Sequence, residues 1–146
     1  MGLTSERSVR ADMMSRKDYF GRVMVLGQYC YPERAEETVS LVLSCLKQML
    51  PQEAVQGIRE MLPEPVRGLW EEAVFNNNYD EDEKDCITLA KRLGNYPYRA
   101  AAERAFEVVF ASIRELTDER SREAIKGLLP LTVQPLFERA KSCAID

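Results

Sequence analysis

The densest set of potential metal ligands is the run Asp80, Glu81, Asp82 and Glu83, preceded by Asn76, Asn77 and Asn78. A calcium loop needs oxygen ligands at its first, third and fifth positions, glycine at the sixth and a bidentate glutamate at the twelfth. Counted from Asn76, the loop has Glu81 in place of the glycine and Ile87 in place of the glutamate. Counted from Asp80, it has Lys84 at the fifth position. The run therefore reads as a solvated linker whose acids favour the helix N-terminus they precede, and no metal is expected. The chain contains no histidine, which removes the commonest general base, the usual partner of a nucleophilic serine or cysteine, and the commonest metal ligand. Carboxylates, lysine, tyrosine and an unassisted thiol are left. The expectation is a protein that is not an enzyme and carries no cofactor.

Four cysteines, Cys30, Cys45, Cys86 and Cys143, are scattered without a C-x-x-C pair and read as reduced intracellular thiols packing as small hydrophobes. Cys30 differs in standing in a turn near Arg34, where a redox-sensing thiol would be alkylated faster than the rest. Tyr29 and Tyr31 recur as Tyr96 and Tyr98. They either seal the core with their rings, keeping the hydroxyls wet, or form a paired aromatic platform for a ligand or peptide. Trp70 is matched by Phe137 in the same way, as a packing residue or an interface anchor. Glu36 and Glu103 fall where a carboxylate would favour the first turn of a helix.

These matches belong to a duplication. Shifting the sequence by 67 residues aligns Lys17–Ala73 with Lys84–Ala140 without a gap, keeping Leu26/Leu93, Gly27/Gly94, Ala35/Ala102, Val42/Val109, Pro63/Pro130 and Glu71/Glu138 in step. Each unit has the punctuation of four helices. Ser15 or Asp82 caps the first, with an acid three residues later, and Gly27 or Gly94 ends it in the left-handed conformation. Phe20, Val23 and Met24 mark its apolar face. The second helix follows Pro32 and buries Ala35, Val39, Val42, Leu46 and Met49, repeated as Ala102, Phe106, Val109, Ile113 and Leu116. A third starts near Pro51 or Asp118, with Thr117 as the expected cap, and is stopped by Pro63 or Pro130. The fourth shows Val66, Leu69, Trp70 and Ala73, or Val133, Leu136, Phe137 and Ala140. No stretch alternates with period two over strand length.

The predicted fold is all-α: a pseudo-two-fold helical bundle of two tandem units of about four helices each. Residues 15–140 form a single helical domain with units 15–75 and 82–140 and a linker at 76–81. Residues 1–14 are a flexible N-terminal segment and 141–146 a C-terminal tail. At 146 residues, 45% of them hydrophobic, the chain can bury a core without a staple. A formal charge of −4 argues against nucleic acid as the main partner. No apolar run is long enough to span a membrane, the start lacks a signal-peptide pattern, and Glu6 spoils an acylation motif. A cytoplasmic location follows.

The ordered set of features resembles the bacterial domain family of unknown function numbered 2267. It comprises Phe20, Gly27, ERAEETVSLVLSCL, Leu62–Pro63 and Leu69–Trp70, then Ile87, Gly94, AAAERAFEVVFASI, Leu129–Pro130 and Leu136–Phe137. The resemblance spans about residues 15–140 and implies a compact helical protein of bacterial cytoplasm. It brings no established activity and no functional residue.

The expected function is a non-catalytic protein-interaction or assembly module, recognising another protein or a second copy. Charge differs between units: Lys17–Ala73 has six basic and nine acidic residues, Lys84–Ala140 ten and eight. Positions that break the repeat, such as Glu53 against Arg120 and Val55 against Arg122, point to a docking surface made of Tyr96, Arg99, Arg120 and Arg122. The alternative is a small apolar ligand or pigment held between the two units by Met24, Trp70, Phe106, Phe110 and Phe137.

Overall fold

The computed structural model describes residues 14–73 and 85–140, and within them the chain forms eight helices and no strand. They are α1 (Arg16–Gly27), α2 (Pro32–Met49), α3 (Gln52–Met61), α4 (Val66–Glu72), α5 (Cys86–Leu93), α6 (Arg99–Leu116), α7 (Glu119–Leu128) and α8 (Gln134–Arg139). The linker, the acidic run, Asp82, Cys143, residues 1–13 of the N-terminal segment and the C-terminal tail lie outside the described residues.

Local chemistry explains where the helices begin. Ser15 caps α1 by accepting from the Asp18 N–H at 3.0 Å. Asp85, expected in the first turn, is itself the N-cap of α5 and accepts from the Ile87 N–H at 3.0 Å. Asp118 rather than Thr117 caps α7, accepting from the Ser121 N–H at 2.8 Å. Thr117 turns its hydroxyl back to the Ile113 carbonyl at 2.9 Å, the local bond that threonine offers one turn along a helix. Pro32 opens α2 at the position where a missing N–H costs nothing.

The helix-ending glycines act differently from expectation. The left-handed residues are Gln28, at φ 57°, and Asn95, at φ 55°, and no glycine among the described residues has positive φ. The glycines are needed because a tyrosine ring lies on each. A Cβ on Gly27 would stand 2.4 Å from the Tyr29 ring, and one on Gly94 would stand 2.7 Å from both the Tyr96 ring and Leu41.

Packing joins the first four helices to the last four. The long helices α2 and α6 touch, and both α1 and α5 pack on each of them. At the other end α3 meets α7, while α4 leans on α2 and α3, and α8 on α6 and α7. One continuous apolar core draws on all eight helices. Most of the two apolar stripes is buried, Ala35, Val39, Val42 and Leu46 on α2 and Ala102, Phe106, Val109 and Ile113 on α6, whereas Met49 and Leu116 at the helix ends are only half-buried against the core. On α1 the buried residues are Tyr19, Val23 and Leu26, whereas Phe20 and Met24 are only half-buried.

Contacts recur at the 67-residue offset. Lys47 lies 5.9 Å over the Trp70 ring, and Arg114 lies 5.3 Å over Phe137. Arg59 pairs with Glu71, and Lys126 with Glu138. The Arg67 side chain donates to the Leu62 carbonyl at 2.9 Å, and Gln134 donates to that of Leu129 at 2.9 Å.

Candidate functional site

The first site is the end of the bundle built by the two tyrosine turns. Each turn leaves a short helix at a glycine, folds one tyrosine ring back over it, and presents a second tyrosine as N-cap of a long helix. Tyr29 and Tyr96 are the half-buried pair, and Tyr31 and Tyr98 are exposed at 69% and 62%. The turns are neighbours. The Tyr96 hydroxyl hydrogen-bonds with Thr38 on α2, near Tyr29 and Arg34, and Arg104 on α6 donates to the Leu26 carbonyl at 3.2 Å. Burial pushes the Tyr96 phenol up and the nearby Tyr29 adds to this, while the Thr38 bond opposes.

Arg99 stands beside Tyr98 and is bound: Nη1 lies 2.7 Å from Asp85 and 3.1 Å from the Thr88 hydroxyl, and Nε lies 3.4 Å from Glu103. Desolvation works against the Asp85 charge. Hydrogen bonds from Arg99, the Ile87 N–H and Thr88 outweigh it and hold the carboxyl below the ordinary range. Cys30, in the first turn, is exposed, whereas Cys45 and Cys86 are buried. Burial pushes each of those two thiols up to about 12.

The four residues expected to share a docking surface do not come together. Tyr96 precedes α6 and Arg99 opens it, whereas Arg120 and Arg122 follow its C-terminus. The intervening 18 residues separate them by about 27 Å along the axis. Arg120 is exposed, but Arg122 is half-buried and donates to the Arg114 carbonyl at 3.0 Å. Offset matching compares composition between units and carries no information about distance within one.

The five residues expected around an apolar ligand pack against protein instead. Phe106, Phe110 and Phe137 form a chain of edge-to-face contacts at 6.0 and 5.2 Å. Trp70 is buried, with Nε1 donating to the Val55 carbonyl at 3.2 Å, and Met24 is half-buried. A cleft of about 290 Å³ does lie near α1, α2 and α4, where Val39 and Leu43 stand at the offset positions of Phe106 and Phe110. Arg16 and Glu72 pair at its edge.

The second site is a larger cleft of about 410 Å³ between α1 and the C-terminal half of α6. Met14, Val25 and Leu116 give it apolar surface, and Asp18, Arg22 and Glu115 line it as charged groups. Tyr19 and Ser112, each 1% exposed, contribute a hydroxyl pair 2.7 Å apart. Arg22 binds Glu115 through two hydrogen bonds of 2.7 and 2.6 Å. Burial raises the Tyr19 phenol far above its ordinary value, so it stays protonated. Of these residues the sequence singled out only Asp18, as a capping acid, and Leu116, as part of an apolar stripe. The available signal was the offset: Tyr19 and Ser112 align with Cys86 and Cys45, so both positions are interior in both units.

Among the described residues, no group of three or more Cys, Asp or Glu could hold a metal ion, and no helix is long and apolar enough to cross a membrane. A family model described as uncharacterized conserved protein (DUF2267) matches residues 16–136, and the chain belongs to that family. No curated protein and no solved structure matches it.

Proposed function

For this member of the DUF2267 family we propose a non-catalytic role as a protein-interaction module that docks through the end of the bundle formed by the two tyrosine turns. The observation that carries the reading is the pair Tyr31 and Tyr98, exposed at the heads of α2 and α6 by neighbouring turns. A protein surface gains little by leaving two large rings in water, whereas a partner gains anchors that lose little entropy on binding. Pro32 follows the first tyrosine and Pro97 precedes the second, which restricts the backbone on which each ring is held. We take the two units to be related by a pseudo-two-fold, so that the partner, another protein or a second copy, meets two like half-sites. The repeated ion pairs and cation–π contacts support that symmetry. The absence of histidine from the sequence supports the non-catalytic part.

The test is affinity capture from the native cell with three baits: the wild type, the Tyr31→Ala/Tyr98→Ala pair, and the Arg120→Glu/Arg122→Glu pair. The tyrosine pair is expected to lose the captured partner while keeping its Tm, because both rings are exposed. The arginine pair is expected to keep it. Capture that ignores the tyrosines and fails with the arginines would return the docking surface to the far end of α6.

A further inference from the structure

We propose that the cleft between α1 and α6 binds a small molecule joining an apolar body to a hydrogen-bond donor, an amine before an alcohol. The inference is independent of the docking face, because it rests on a different cavity and different residues.

The chemistry follows from where the protons are. Ser112 has one hydroxyl proton and donates it to the Val109 carbonyl at 2.5 Å. Its contact with Tyr19 at 2.7 Å therefore runs the other way, with Tyr19 donating and Ser112 accepting. With both protons committed, the buried hydroxyl pair presents only lone pairs to a guest. Among the described residues the charged groups lining the cleft are Asp18, Glu115 and Arg22, and the one cation among these is engaged by Glu115. The charged lining sums to one negative charge, two acids against one base. Among the described residues an anionic guest would find no cation in the cleft that is not already paired. A donor finds acceptors at the inner wall and a favourable field at the mouth.

The offset position on α5 is filled differently. At the 67-residue offset Gly21 and Arg22 become Thr88 and Leu89, and Leu89 is fully buried. Gly21 lines the cleft, and a Cβ built there meets nothing within 4 Å. The fold therefore does not require the space. A volume of about 410 Å³ falls within the range of small-molecule sites.

The experiment is a titration of the isotope-labelled full chain, followed by amide shifts, with three probes sharing one phenyl body. These are 2-phenylethylamine, 2-phenylethanol and 3-phenylpropanoate. Saturable shifts at Tyr19, Arg22, Val25, Ser112 and Glu115 are expected with the amine, weaker ones with the alcohol, and none with the carboxylate. Gly21→Leu, which projects a side chain into the open space, should abolish saturation while the protein stays folded. Tyr19→Phe should weaken amine binding about 3- to 10-fold, the worth of one hydrogen bond, without moving the site. The proposal is overturned if no probe saturates, if the carboxylate binds as tightly as the amine, or if either variant leaves the affinity unchanged.

Discussion

The ring-over-glycine geometry makes one substitution raise or lower stability according to its position. In Gly94→Ala the new Cβ would lie 2.7 Å from Leu41 and from the Tyr96 ring, and 3.0 Å from the Ala90 carbonyl oxygen. Ordinary contact begins near 3.4 Å, so the ring and the leucine must retreat, while the carbonyl is fixed by α5. Gly94 has φ −91° and ψ 0°, which alanine can adopt, so the cost is steric. Overpacking of this kind costs about 1–3 kcal/mol, offset by about 0.4–1 kcal/mol from a stiffer unfolded chain. The net effect is a loss of about 1–2 kcal/mol. Gly21→Ala meets nothing within 4 Å inside α1 and should gain about 0.5–1 kcal/mol through helix propensity. The two variants should thus differ by about 2 kcal/mol, or about 4–8 °C in Tm for a domain of this size. Urea unfolding followed by circular dichroism should show midpoints moving in opposite directions with unchanged slopes. Repeating Gly94→Ala in a Tyr96→Ala background should recover part of the loss, because the obstructing ring is gone. If Gly94→Ala stabilises as much as Gly21→Ala, the tyrosine does not lie over the glycine and the account of the turn fails.

Two further outcomes follow from buried groups. Burial raises the Cys45 and Cys86 thiols from 9.0 to about 12, so stability should be complete below pH 9 and fall as pH rises from about 9 to 12. Each thiol contributes up to about 4 kcal/mol to that fall. A Cys45→Ala/Cys86→Ala variant whose alkaline limb stays as steep would refute this. Lys47 donates to the Trp70 and Ala73 carbonyls at 2.7 and 2.8 Å, closing the end of α4. Lys47→Met should lower stability by about 1–2 kcal/mol in urea titration, and no change would mean that water caps those carbonyls as well.

The sequence carried the helices because period and punctuation are local. The stripe through Ala35, Val39, Val42 and Leu46, and its copy through Ala102, Phe106, Val109 and Ile113, required no knowledge of neighbours. Caps were harder. Asp118 beside Thr117 is a choice between two competent residues, and the threonine hydroxyl was taken by the Ile113 carbonyl one turn back. The sites were hidden for another reason. The cleft joins Asp18, Tyr19 and Arg22 to Ser112 and Glu115, more than ninety residues away, and depends on α1 crossing to α6 of the other unit. The aromatic set looked like a ligand cage because the residue types suit one. The same rings equally fill space by edge-to-face contact, and volume decides which of the two occurs.

The duplication we propose accounts for both the order and the openings. Two copies of one unit can bury each other only if the matching faces stay complementary, and Leu26/Leu93, Val42/Val109 and Ile58/Ile125 keep that contract. Elsewhere the copies can drift as long as one side compensates. Where the second unit fills its interior with Phe106 and Phe110, the first has Val39 and Leu43 and a cleft beside them. Where the second has Thr88 and Leu89, the first has Gly21 and Arg22 and the larger cleft. Cys45 with Cys86 leaves a buried apolar thiol pair at α2 and α5; Ser112 with Tyr19 leaves a buried hydroxyl pair at α6 and α1. The polar pair therefore stands at the cleft, whereas the thiols lie near the buried Leu89. Drift alone would place hydroxyls and space independently; their coincidence on one side is the physical reason to look for a ligand there.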